Sequence, residues 1–395
     1  MLTVAALGFA AFVFASYGKG KPVQFLSDET DTVSFGATEE EKEQYLDKEI
    51  SEIYENLAEP YSEYIYTIPG DIKIDYAEGG SDGETIDYFY QVNNFTSFEY
   101  EDFSCREIFK DAIEISKYNG TEKNVIIPAS INGKTVRYIG EGAFAEGELT
   151  SDEKISSHEI ESVTIPDSVL YIGDTAFYSC EKLKDIVFPK KLVYIGQYAF
   201  AHCESISSLN IPACEVFGEE SFGGCGSLTS LTLPEDTVLL LRGAFCSCPI
   251  KELSLNEKLE FINCAFEDTD VENVTIPSGV KVIFCGFSNC KKLEKVIFEE
   301  GDTPLYSVYD FVSECTALRE IHFPARLVEL DTISESCLKM IRLSDIYFAK
   351  SDIDGIGESD LNVTGIKRIH APSGGNIEDY CRYRLRMIFT PADES

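Results

Sequence analysis

One short phrase, repeated along the chain, constrains the fold more than any other feature. It reads IGEGAF at 139–144, IGDTAFYSC at 172–180, IGQYAFAHC at 195–203 and FGEESFGGC at 217–225. Aligned on its aromatic residue, the chain gives Phe144, Phe177, Phe200, Phe222, Phe245, Phe266, Phe287 and, more loosely, Phe311. After a longer first gap the period is roughly 22 residues, the signature of a stacked repeat architecture. One such unit cannot bury its own apolar face, so neighbouring units must stack to make a continuous core.

A single unit, LKDIVFPKKLVYIGQYAFAHC from Leu183, shows how. Leu183, Ile186 and Phe188 have the spacing of the inward side of a short strand. Pro189 has no N–H for a ladder and ends that strand. The same strand end recurs at Pro128, Pro166, Pro212, Pro234, Pro277 and Pro324. Leu192 and Ile195 turn back inward, and Gly196 is expected to take a backbone conformation costly to other residues. Ala199, Phe200 and Cys203 complete the interior. With about 4.8 Å per stacked strand, eight or nine turns predict a right-handed solenoid roughly 40 Å long. Its short strands are expected on one face.

The succession of columns resembles the BspA-type leucine-rich repeats of bacterial and some protozoan surface proteins. VIIPASINGKTVRYIGEGAF (125–144) resembles an opening repeat, VTIPDSVLYIGDTAFYSCEKL (163–183) a central one, and IKRIHAPSGGNIEDYCRYRL (366–385) a closing strand and helix capped by Asn376 after Gly374 and Gly375. The likeness covers about 105–390, with Thr269 where a Cys is expected and a poor fit over 294–365. It implies an α/β-type leucine-rich repeat solenoid capped by N-terminal strands and a C-terminal helix. It also implies adhesion to host or microbial proteins or glycans at a cell surface or after secretion.

The rest of the chain divides around that solenoid. Residues 2–14, LTVAALGFAAFVF, are an apolar run followed by Ala15 and Ser16, which reads as a signal peptide or membrane anchor over 1–18. The run falls short of the roughly 20 residues of a spanning helix. Residues 19–87 form an acidic region in which Thr38 and Glu41 make a capping box before Leu46, Ile50, Ile53, Tyr54 and Leu57 on one helical face. Capping strands and the first repeat are expected over 88–137, the solenoid over 138–365, and the closing repeat and helix over 366–395. The formal charge of −36 excludes nucleic acid as a partner, because phosphate binding needs a basic stripe.

Thirteen cysteines in an exported chain first suggest disulfides. Yet Cys180, Cys203, Cys225, Cys248 and Cys290 share one column, each three residues after its Phe. Stacking points their side chains the same way, which is wrong for a bridge, so they read as structural thiols that donate weakly to backbone carbonyls. Cys264 and Cys285, in another column on adjacent turns, are the best-placed pair for a bridge. No paired CxxC spacing points to a metal, and no cofactor is expected. Nothing in the sequence pairs His158, His202, His322 or His370 with a Ser or Cys as a catalytic nucleophile, and GxSxG, P-loop and dinucleotide patterns are missing. An enzyme with the repeats as its targeting module would need its site within 19–104.

Two surfaces remain as candidates for a partner. Outward strand positions carry Ser208, Asn210, Ser230, Thr232, Ser254, Asn273 and Thr275, a strip of hydroxyls and amides able to hydrogen-bond a protein strand or a glycan. Counted back from Phe, the glycine column Gly140, Gly173, Gly196 and Gly218 gives way to Leu241, Ile262 and Ile283. These three are either core or an exposed apolar ridge, and a ridge would mark a contact surface for self-association in an envelope-organising protein. The chain thus reads as a non-catalytic binding protein, with self-association as the alternative.

Overall fold

The computed structural model describes residues 96–109, 112–145, 147–150, 153–155, 159–305, 307–309, 311–327, 345–350, 368–383 and 388–392. The expectations for 1–18 and 19–87, with the helix over 38–57, lie outside these residues. The described chain winds into a solenoid whose strands form two ladders, where the periodicity predicted strands on one face. The segment read as a simple inward turn, Leu192–Ile195, is itself a strand and pairs in parallel with its counterparts above and below.

The first ladder runs through Ala112–Tyr118, Lys134–Ile139, Tyr171–Ile172, Leu192–Ile195, Cys214–Phe217, Leu239–Leu240, Phe261–Asn263, Val282–Phe284 and Ser307–Tyr309, all parallel. The second is in three pieces. Asn124–Ile126, Ser162–Thr164 and Asp185–Val187 form one piece. Ser230–Thr232 and Glu252–Ser254 form the next. Asn273–Ile276, Lys295–Phe298, Glu320–Phe323, Asp345–Phe348, Arg368–Ala371 and Ile388–Pro391 form the last.

Between the ladders the Phe column is a stack of rings. Centroids lie 4.7 Å apart for Phe144–Phe177, 4.9 Å for Phe177–Phe200, 5.0 Å for Phe200–Phe222, 5.5 Å for Phe222–Phe245, 6.0 Å for Phe245–Phe266 and 5.3 Å for Phe266–Phe287. The next place in the column belongs to Val312 and not to Phe311. The Phe245 N–H donates to the carbonyl of Ala265, the residue before Phe266, and the Phe287 N–H donates in the same way to Phe311. The Phe311 ring instead meets Phe298 and Phe323 edge-on.

The cysteines beside this stack are thiols, all twelve of those described. Cys180, Cys203, Cys225, Cys248 and Cys290, joined by Cys315, each donate Sγ to the carbonyl of the Phe one turn back, at 3.0–3.3 Å. Outside this column, burial pushes the Cys105 thiol up to about 11 and the Cys246 thiol up to about 12. The substituted position works differently. Thr269 donates to Phe266 of its own turn and lies 3.2 Å from the Cys290 sulfur. Cys264 and Cys285, the pair expected to bridge, are buried thiols with left-handed backbone (φ 46° at each).

The glycine column has a cause other than backbone freedom. Gly196 does not have a positive φ; a Cβ there would sit 2.5 Å from the carbonyl carbon of Gly173, and one on Gly218 would sit 2.7 Å from that of Gly196. The turns touch backbone to backbone, and only glycine fits between them. Left-handed positions lie elsewhere, two residues before each Phe, at Gly142, Thr175, Tyr198, Glu220, Gly243, Cys264 and Cys285, and two residues after it, at Ser179, His202, Gly224, Ser247, Asp268 and Asn289.

Both ends are closed. Thr96–Tyr100 and Phe103–Phe109 form an antiparallel hairpin that continues into Ala112–Tyr118 and covers the first turn, with Phe103, Tyr118 and Phe144 in ring contact. The long first gap in the repeat holds a small hairpin, Gly147–Thr150 with Glu153–Ile155. At the other end the helix Asn376–Tyr383 buries Ile377, Tyr380 and Cys381. Asn376 is the first helical residue, and Glu378 reaches back to accept from the Gly374 N–H at 2.8 Å. A last strand, Ile388–Pro391, follows the helix and ends the sheet with a proline on its edge, where a missing donor discourages further pairing.

Candidate binding face

The second ladder turns two columns of side chains outward. The first runs Asn124, Ser162, Asp185, then Ser230 and Glu252, then Asn273, Lys295, Glu320, Asp345 and Arg368. The second runs Ile126, Thr164, Val187, then Thr232 and Ser254, then Thr275, Ile297, His322, Tyr347 and His370. Thr232, Ser254, Asn273 and Thr275 are exposed there and Ser230 is half-buried, in adjacent registers. Ser208 and Asn210 are exposed but stand apart. No strand forms over 207–211, so the ladder is interrupted between Asp185–Val187 and Ser230–Thr232. The link from Pro212 to Cys214 is one residue shorter than that from Pro189 to Leu192, which draws this turn out of register.

Large apolar side chains stand in the same outward columns. Ile126 is 74% exposed and Val187 58%. Charges alternate at the strand entries and pair between turns, as in Lys123–Glu161 and Lys184–Glu161 at 3.1 Å and Lys292–Asp270 at 2.8 Å. Such exposed pairs add little stability, but they order the rim of the face.

At the C-terminal end the hydroxyl strip gives way to a ring stack. His322 and Tyr347 lie 4.2 Å apart, as do Tyr347 and His370, at interplanar angles of 13° and 9°. Carboxylates flank the stack: Glu320 meets His322 and Lys295, and Asp345 meets His370 at 3.0 Å and Arg368 at 3.7 Å. Burial alone would raise the Glu320 carboxyl, but hydrogen bonds from Lys295 and His322 hold it below the usual range. The sequence reading noticed His322 and His370 only as isolated histidines. Aligning EIHF (320–323), DIYF (345–348) and RIHA (368–371) is the signal that would have put them in one column.

The apolar ridge does not exist as a surface. Ile262 and Ile283 have no exposure and belong to the core, and Leu241 is half-buried. Strand register explains this. Ile262 and Ile283 align with Leu240 and Phe217, the inward column, while Leu241 and Asn263 fall in the glycine column. From Phe266 onward each unit has lost one residue between strand and Phe, so counting back from Phe lands one column off at Ile262 and Ile283.

Among the described residues no group of three or more His, Cys, Asp and Glu side chains is arranged to hold a metal, and no helix is long and apolar enough to cross a membrane. The described face is a set of fixed hydrogen-bonding groups and ring edges on a rigid ladder.

The columns, the Phe stack and the thiol ladder define a leucine-rich repeat solenoid. The sequence profile of the BspA type leucine rich repeat region matches in six copies over residues 151–265 and 263–387, and the chain belongs to that family. Among solved structures, a leucine-rich repeat protein of T. pallidum is 24% identical, with 55% of this chain and 99% of that one covered and a TM-score of 0.38. A leucine rich cell surface protein of Faecalibacterium prausnitzii is 21% identical, covering 72% and 90%, with a TM-score of 0.38. The pneumococcal vaccine antigen PcpA is 15% identical, covering 75% and 97%, with a TM-score of 0.37. No curated protein matches this chain.

Proposed function

We propose that this chain is an exported, non-catalytic recognition protein that holds a protein or glycan ligand against the outward columns of its second ladder, at a cell surface or after secretion. The observation that carries the reading is the run of polar side chains on that face: exposed Thr232 and Ser254 are paired in one piece of the ladder, and in the next exposed Asn273 and Thr275 lead in register into the His322–Tyr347–His370 stack. Hydroxyls and amides at fixed spacing suit hydrogen bonding to a strand or a sugar, and solenoids bind along such extended faces. Membership of a BspA-type repeat family and the apolar run at 2–14 support placement outside the cell.

Self-association through Leu241, Ile262 and Ile283 has lost its carrier, because two of those residues are core. The test is binding of the full chain to immobilised matrix glycoproteins and a glycan array, with Thr232→Lys/Ser254→Lys and Tyr347→Ala as variants. Saturable binding that survives moderate salt and falls at least tenfold in the first variant is expected. Binding indifferent to both variants, or none on any surface, would refute the reading.

A further inference from the structure

The second ladder has an open edge at its N-terminal end. Asn124–Ile126 pairs with Ser162–Thr164 on one side, and among the described residues no strand lies on the other. The hydrogen bonds already made there show which groups are left over. The Lys123 carbonyl accepts from the Ser162 N–H at 3.0 Å, and the Ile127 N–H donates to the Thr164 carbonyl at 3.0 Å. Residues 123, 125 and 127 therefore face the ladder, and the N–H and C=O groups of Asn124 and Ile126 point away from it. Both residues are exposed, Ile126 at 74%. At the far end of the same ladder Pro391 withholds a donor. No proline stands within Asn124–Ile126, and the neighbouring Lys123 is drawn back onto Glu159 at 3.4 Å and Glu161 at 3.1 Å.

We infer that this edge takes an extended segment of a partner protein as a further strand, parallel like every pair of that ladder. An edge strand is a template for pairing, and strand addition binds a peptide mainly through its backbone. The columns define the segment. One residue before the paired strands, Lys184, Glu161 and Lys123 stand in a row, with Lys184–Glu161 and Lys123–Glu161 both at 3.1 Å. Charge alternates along that row, so the next place, beside Lys123, suits an acid. The following column, Asp185, Ser162 and Asn124, is polar, and Ser162 Oγ donates to Asn124 Oδ1 at 2.7 Å. Then come an inward column, Ile186, Val163 and Val125, and an outward one, Val187, Thr164 and Ile126. Both are β-branched throughout, the side chains that pair best across strands. The fitting segment is thus an acid, a small polar residue and two β-branched residues in succession. A second copy of this chain does not match: set in parallel it puts Lys123 against Lys123, and two chains of charge −36 repel. The site uses backbone at the ladder's edge and does not depend on the outward columns proposed above for a ligand.

The chain's own neighbouring strand supplies the probe. IESVTIPD, the sequence of residues 160–167, carries the acid and all three columns, and is used as a dye-labelled peptide with blocked ends against the full chain. Saturable binding is expected, with hydrogen exchange at the Asn124 and Ile126 amides slowed about tenfold or more at saturation. Methylating the peptide nitrogens of Val163 and Ile165 removes the donors aimed at the edge and should weaken binding at least about tenfold. Methylating those of Ser162 and Thr164, which face away, should leave it unchanged. Ile126→Pro in the protein removes a donor that faces the edge and none that faces the ladder, and should weaken binding by a similar factor. Thr232→Lys/Ser254→Lys should bind the peptide as the wild type does, whatever it does to the ligand face. No binding at about 1 mM peptide, equal loss from the two methylated peptides, loss from the Ser162 and Thr164 pair alone, or unchanged exchange at Asn124 and Ile126 would overturn the inference. The methylated peptides leave the protein untouched, so the test stands even if Ile126→Pro fails to fold.

Discussion

Changing Gly196 to Ala tests the packing that sets the pitch of the solenoid. The added methyl would lie 2.5 Å from the Gly173 carbonyl carbon, 2.6 Å from the Asp174 nitrogen and 2.6 Å from Asp174 Oδ1. The carboxylate oxygen can swing aside, but the two backbone atoms belong to the next turn and cannot. Relief therefore requires the turns to part by about 1 Å, against the close packing that holds protein interiors. That movement loosens the bonds joining them: Gly196 N–H to Ile172 at 2.8 Å, Thr175 N–H to Gln197 at 2.7 Å and Phe177 N–H to Ala199 at 2.7 Å. It also opens the 4.9 Å Phe177–Phe200 stack. Overpacking of this kind costs about 1–3 kcal/mol, and a clash with backbone belongs at the upper end. Gly226 is the control, with nothing within 4 Å of its Cβ position and no positive φ. There, Ala is expected to be neutral or to stabilise by about 0.5 kcal/mol through the unfolded chain. Hydrogen exchange resolved to the turns is the assay. A penalty of about 2–3 kcal/mol accelerates exchange at the Thr175 and Phe177 amides by roughly 30- to 150-fold. Equal protection in the two variants would refute the claim that close approach is what demands glycine.

Three further outcomes follow from the same geometry. Burial raises the Asp174 carboxyl against the Gln197 N–H that it accepts, so the folded state holds that proton more tightly than the unfolded chain. Ionised Asp174 therefore costs stability above its folded pKa, and the cost vanishes as pH falls below the unfolded value near ~3.9. Asp174→Asn keeps the acceptor and should raise the melting temperature at pH 7, with the gain shrinking toward pH 4; a loss at pH 7, or a gain independent of pH, would contradict this. Arg326 donates to four carbonyls, those of Pro277, Val280, Glu299 and Thr303, at 2.6–3.2 Å. Lys cannot reproduce that fork, and Arg326→Lys should cost about 2 kcal/mol or more, an expectation that an unchanged melt would sink. Since the described cysteines are thiols, reductant should leave the melting temperature unchanged, whereas a structural disulfide is worth about 2–4 kcal/mol and its reduction would show as a clear drop.

Sequence periodicity located the solenoid because its core is periodic in one dimension. Each Phe, Cys and Pro recurs once per turn, and a stack needs the same side chain at the same height. The glycines were equally visible, but their cause was not. A glycine kept for a positive φ and one kept for a 2.5 Å backbone approach look alike in one dimension. The lost residue between strand and Phe misled for a related reason. Counted from Phe266, Ile262 falls in the glycine column; counted from Leu240 by strand pairing, it falls in the inward one. Sequence alone does not say on which side of a deletion the register is kept. Direction, not distance, decides whether stacked side chains can bridge, which is why the column was read as thiols; each of them donates to the Phe carbonyl one turn back. Thr269 shows the tolerance of that position for another small donor.

The two outward faces explain how one repeat serves two purposes. On both ladders the inward column must stay apolar, so variation is free only outside. Along the first ladder that freedom has been used for Tyr, which is half-buried, and for Val, Leu and Phe, which are buried. Along the second it has been used for Asn, Ser, Thr, Lys, Glu and His, several of them exposed. The second ladder is the face we propose for a ligand, since hydrogen-bonding groups and apolar tips such as Ile126 and Val187 meet water there. The difference between the ladders also separates the tests: a change at exposed Thr232 should weaken ligand capture and leave the melting temperature unchanged, whereas truncation of buried Phe261 should lower the melting temperature.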